Sequence, residues 1–161
     1  MTYHRGRKMK KLIAFVFTFL LFSFGVSHHA FAATNDSKDD VLNKIQQTNE
    51  QIQVLIDNAK DKGSEINTKL DKQIMDLENQ KTAYAGQEDK IAEIDKEIAQ
   101  LKDEASKEID KLCLDLYNET EDLANAMVKE AQKAGIQVEK QYFDQNIGGK
   151  IIAIDPVQVL D

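Results

Sequence analysis

The chain has 161 residues, one Cys and no Trp, with 28 Asp and Glu against 21 Lys and Arg, for a formal net charge of −7. An acidic surface disfavours nucleic acid and anionic lipid as partners. A single cysteine leaves no intramolecular disulfide framework, so the fold must stand on packing alone.

Residues 1–11 carry Arg5, Arg7, Lys8, Lys10 and Lys11 and no acid. An apolar run from Leu12 to Val26 follows, and Ala30, Phe31 and Ala32 then supply the small, any, small pattern of a cleavage site. This order predicts a cleaved secretory signal peptide over 1–32 and a secreted or envelope location, with Met9 as an alternative start. The alternative is an uncleaved N-terminal anchor, against which the apolar run is short beside the roughly 20 residues that a spanning helix needs. Membrane contact is expected only in that case, and no Cys follows the run to take a lipid.

Cleavage after Ala32 leaves 129 residues, one domain's worth of chain, with sixteen Lys against 28 acids and a net charge of −12. His4, His28, His29 and both Arg lie in the removed segment. The mature chain therefore lacks the residues of a Ser-His-Asp or Cys-His nucleophile, of an imidazole zinc site and of a bidentate anion clamp. A carboxylate pair could still act as acid and base, but it needs a partly dry pocket, and Tyr84, Tyr117, Tyr142 and Phe143 are the only mature aromatics. No enzyme activity, cofactor or small-molecule substrate is expected.

Residues 33–40 read as a flexible acidic N-terminus. The acidic stretches Asn35 to Asp40 and Asp115 to Asp122 lack the ligand spacing of a calcium loop and read as helix-start charges and a solvated face. Two tripeptides, Asn35-Asp36-Ser37 and Asn118-Glu119-Thr120, have the form of glycosylation sequons.

Residues 41–134 read as a helical coiled coil. One series at seven-residue spacing runs Leu42, Asn49, Ile56, Gly63, Leu70, Leu77, Tyr84, Ile91, Ile98, Ala105 and Leu112. Its companion runs Ile45, Ile52, Ala59, Ile66, Gln73, Gln80, Gln87, Ile94, Leu101 and Glu108. The weakest part of this seam is Gln73, Gln80 and Gln87, polar residues that flank Gly86 and fit a bend. Gly63 and Gly86 are the two places where the helix could break, and the bend is expected at Gly86. A turn at Gly86 makes an antiparallel helical hairpin of matched arms, each roughly 65 to 70 Å long. The alternatives are a three-helix arrangement turning at both glycines, or a straight helix that dimerises. Cys113 reads as a small buried hydrophobe in the stretch LCLDL or, alternatively, as an intermolecular thiol.

Beyond Leu112 the apolar stripe slips by four residues, to Leu116 and Leu123, and takes in Ala126, Met127 and Ala131. Gly135 is placed to close the helix in a left-handed conformation, with Ile136 folding back on the last turn. The segment 135–161 then changes character. Ile136, Val138, Lys140 and Tyr142 alternate with polar residues, Asn146 to Gly149 tolerate positive φ, and an Ile-rich stretch follows. A small C-terminal β-hairpin is predicted, with Pro156 ending a strand before a short piece over Val157 to Leu160. Ile151, Ile152, Ile154, Val157, Val159 and Leu160 are its candidate interaction residues, covered by the helix ends near Leu116, Leu123 and Met127 or by a partner.

The function expected from these features is that of a noncatalytic exported coiled-coil protein. It would act as a spacer, adaptor or regulator, bound to an envelope or extracellular protein or to itself. The alternative is an extracytoplasmic holdase-type chaperone with helical arms.

Overall fold

In the computed structural model, which describes residues 37–160, helices α1 (Lys38–Ala83) and α2 (Glu88–Lys133) fold back on one another. Strands β1 (Val138–Lys140), β2 (Phe143–Ile147), β3 (Lys150–Ile154) and β4 (Val157–Val159) follow. The signal segment expected over 1–32 and the sequon at Asn35 lie outside the described residues. Among these residues no helix is long and apolar enough to cross a membrane.

The protein is a helical hairpin with arms of 46 residues each, or about 69 Å at 1.5 Å per residue. The bend is the one expected. Gly86 has φ +82°, and Gln87 N donates to Tyr84 O at 2.9 Å, closing a four-residue turn. Lys81 reaches across it to Asp95 at 2.6 Å, and the Lys90 ammonium sits 4.5 Å from the centre of the Tyr84 ring. α1 runs through Gly63 without a break, so the three-helix arrangement does not form, and the turn at Gly86 excludes the straight helix.

α1 starts three residues before the expected 41. Ser37 Oγ accepts from Asp40 N at 3.3 Å while Asp40 Oδ2 accepts from Ser37 N at 3.2 Å, a capping box that satisfies two orphan donors and places an acid in the first turn. Lys38, Asp39 and Asp40 are therefore helical and do not belong to a flexible terminus. α2 ends as the sequence predicts. Gly135 has φ +69°, Ile136 N donates to Ala131 O at 2.9 Å and Gly135 N to Gln132 O at 3.1 Å, the paired bonds of a Schellman motif.

Buried apolar residues fall into two clusters. The larger lies at the open end, where Val41, Ile45, Ile52, Ile56 and Ala59 of α1 meet Ile109, Cys113, Leu116, Ala124, Met127 and Ala131 of α2 and Ile147, Ile154 and Val157 of the tail. The smaller, near the turn, is Leu77, Ile94 and Ile98. The slipped stripe of α2 is real but uses Ala124, with Ala126 exposed. Thr120 also sits in it, buried because its hydroxyl donates to Leu116 O at 2.9 Å.

The tail is one long antiparallel ribbon. β2 pairs with β3 around Gly148 and Gly149, whose φ values of +59° and +96° are those of a two-residue hairpin turn. β1 pairs with β4 in the same register, Val138 opposite Val159 and Lys140 opposite Val157. The expected first strand, Ile136 to Tyr142, is thus shortened to Val138–Lys140, and its partner is the short last piece rather than the Ile-rich strand. The turn fixes which residues face each other, and counting outward from it places Phe143 opposite Ile154.

The ribbon rolls over midway. Toward the tip the helices are faced by Gln145 and buried Ile147 of β2, whereas at the base they are faced by Val138 and Lys140 of β1. On the return strand the covered positions change from Ile152 and Ile154 to Val157. The phase switches at Gln141–Tyr142 and Asp155–Pro156, where Pro156 has no N–H to donate, and Gln141 N bonds Pro156 O at 3.1 Å. β2 packs on α1 and β3 on α2, but β1 packs on α2, and β4 packs on both α1 and α2.

Candidate interaction surface

Two interruptions of the heptad series receive the ribbon. Asn49 Nδ2 donates to Val157 O at 2.8 Å and its Oδ1 accepts from Val157 N at 2.9 Å, so one amide pairs the outer edge of β4 as a neighbouring strand would. About four turns of helix further on lies Gly63, and a Cβ there would stand 2.7 Å from Gly148 N. Only a residue without a side chain lets the ribbon tip come this close. Asn67 Nδ2 donates to Gly148 O at 3.1 Å, and Lys150 forms an ion pair with Asp110 of α2.

A second polar group holds the base. Lys140 Nζ bonds Glu121 Oε1 of α2 at 2.6 Å and Asn125 Oδ1 at 3.3 Å. The ion pair holds the Glu121 carboxyl below its usual range and raises Lys140. Asp155 lies 3.5 Å from the same ammonium, buried, with neither oxygen in a hydrogen bond. Burial pushes its carboxyl above the usual range, and the neighbouring Glu121 adds to the shift. Nearer the open end, Lys44 bridges to Glu130 at 2.6 Å. Among the described residues no three His, Cys, Asp or Glu side chains gather as a metal site.

Beside the pinned edge of β4 lies an open groove of about 540 Å³, lined by Leu42, Ile45, Asn49 and Gln53 of α1 and by Val157 and Val159 of β4. Leu42, Val159 and Leu160 are exposed large hydrophobic residues at this end. Successive residues of an antiparallel strand turn their backbone groups to alternate sides, so Val159 turns its own the same way as Val157, toward the groove. Its chemistry is that of an apolar floor, amide rims and a strand edge, suited to packing against another chain.

The predicted interaction residues divide. Ile154 and Val157 are buried in the protein's own core, Ile152 is half-buried, and Ile151, Val159 and Leu160 are exposed, Ile151 at 66%. The helix end near Leu116, Leu123 and Met127 covers the first group. Cys113 is only 3% exposed and its thiol is pushed up by burial, so it sits as a core hydrophobe out of reach of a second thiol. Asn49, Gly63, Asn67, Glu121, Lys140 and Asp155 were not singled out by the sequence as docking residues. The one signal for two of them was their break in an otherwise apolar series.

Comparison with protein-family models, with curated proteins and with solved structures finds no match for this chain. A functional reading therefore stands on the geometry above.

Proposed function

We propose that this protein is an exported, noncatalytic adaptor or spacer, a helical hairpin whose open end binds a protein of the cell envelope or extracellular space. The observation that carries this reading is the asymmetry of the hairpin. The ribbon covers the helices only as far as Gly63 and Asn67, and beyond it the pair of helices continues to the Gly86 turn with a small core and a charged surface. A bare projecting arm separates things, and a head with a groove and a strand edge attaches to one of them.

The N-terminal segment supports export, and the acidic mature chain suits an interior or surface rich in polyanions to which it must not adhere. A catalytic role is disfavoured by the residue types, and of the two carboxyls at the ribbon base Asp155 is closed off, its side chain being 2% exposed.

The test is crosslinking and pull-down of the mature protein from its own secreted and envelope fractions, with Leu42→Lys and Val159→Lys as surface variants. Recovery of a specific protein by the wild type and its loss with these variants, at unchanged melting temperature, is the expected result. Equal recovery by both sinks the assignment of the groove. Exposed Tyr142, Phe143 and Ile151 favour the chaperone as a second reading, and suppression of aggregation of an unfolded client at stoichiometric dose would establish it instead.

A further inference from the structure

The geometry points to a proton-operated latch at the rollover of the ribbon: Asp155 holds a proton that it shares with Glu121 beneath Lys140, and loss of that proton loosens the ribbon base from α2. Backbone pairing is thin at this position, crossed by the bond from Gln141 N to Pro156 O at 3.1 Å. Strand pairing is interrupted between the β1–β4 and β2–β3 ladders, and Pro156 removes one donor there. Side chains must therefore hold what the backbone does not.

The three groups cannot all be charged comfortably. Lys140 is already engaged by Glu121 at 2.6 Å, while Asp155 Oδ2 stands further off at 3.5 Å. One ammonium facing two carboxylates leaves a net negative charge in a partly dry site, and Asp155 is the member with no hydrogen bond to offset its desolvation. A proton on Asp155 brings the set to neutrality and turns an orphaned acceptor into a donor, with the Glu121 carboxylate beside it as acceptor. The groups acting on Asp155 are Glu121 from α2 and Lys140 from its own ribbon. From α1, the side chain meeting the adjacent Val157 is the neutral Asn49. The shifts of the two carboxyls agree with this placement, with Asp155 raised by burial and Glu121 lowered by Lys140.

The sign follows from the proton count. The folded protein binds a proton on Asp155 that the unfolded chain has released, so stability of the ribbon base falls as pH rises from the ordinary carboxylate range to the higher folded value. Above that value the contribution of the proton is gone and the latch is at its weakest.

The full mature protein tests this by amide exchange at Val138–Lys140 and at Val157–Val159 between pH 4 and 8, corrected for intrinsic rates, together with the ¹³C carboxyl titration of Asp155. Protection of the base should fall about tenfold for each pH unit by which Asp155 is raised, while Ile109 and Cys113 in α2 hold theirs. Asp155→Asn should keep the base protected at all pH values. Glu121→Gln should move the midpoint down, because Asp155 then has Lys140 to itself. An Asp155 that titrates in the ordinary carboxylate range overturns the latch even where a variant fails to fold, and so does an Asp155→Asn profile that tracks the wild type.

Discussion

Gly63 in the middle of α1 and Gly148 at the ribbon tip touch backbone to backbone. A Cβ on Gly63 would lie 2.7 Å from Gly148 N and 3.0 Å from its Cα, and one on Gly148 would lie 2.9 Å from Ile109 Cδ1. A glycine that weakens a helix is here the notch that seats the tail. Helix propensity and packing thus oppose each other at one position, which makes the balance measurable.

Gly63→Ala gains about 1 kcal/mol of helix propensity and loses the close approach, where overpacking typically costs about 1–3 kcal/mol. The contact is with backbone, which cannot swing away, so packing wins. The variant is expected to unfold at lower urea than the wild type. A higher midpoint would show that the ribbon tip is not seated in the notch.

Asn49→Leu repairs the heptad series and should nevertheless destabilise. It orphans both the N–H and the C=O of Val157, each at about 1–3 kcal/mol where they stay dry, against a modest gain in apolar burial. Asn49→Asp is the sharper probe. It keeps the acceptor for Val157 N but sets a carboxylate against Val157 O, so its deficit should shrink as the solution is acidified and the side chain regains a donor. Thermal melts at pH 4 and pH 7 distinguish the two.

Lys140→Met leaves Glu121 and Asp155 without their cation and is expected to cost about 1–2 kcal/mol at neutral pH, discounting a lost charged hydrogen bond for partial solvent access. The pH dependence has a definite sign. In the wild type the Glu121 contribution is present above the carboxylate value of the unfolded chain and is lost as pH falls through its lowered folded value. That of Lys140 is complete below the ordinary Lys value and is lost only as pH climbs through its raised folded value. The variant should therefore approach the wild type toward pH 4, as both carboxyls take up protons. A deficit equal at pH 4 and pH 7 would mean that Lys140 acts through packing alone.

Cys113 should resist a thiol reagent in the native protein and react at once in denaturant, since it is enclosed by the core and burial disfavours its thiolate. The native protein run without reductant should show no disulfide-linked dimer. Rapid native labelling at pH 8 would show that the core around Leu116 and Ile147 opens readily.

Much of this architecture is local and was legible in the chain. Seven-residue spacing gave two helices, Gly86 and Gly135 marked their ends, and Asn146 to Gly149 marked a hairpin turn, because each signal acts between neighbours a few residues apart. Tertiary structure alone decided the rest. Asn49 meets Val157 across 108 positions and Asn67 meets Gly148 across 81, and no periodicity within either segment encodes such a pairing. For the same reason Gly63 reads as a place for the helix to break, and nothing in the sequence marks Asn49 or Asp155 as docking residues. Their roles arise only when the ribbon lies down on the helices, where an edge needs an amide, a turn needs a missing side chain, and a carboxyl loses its water.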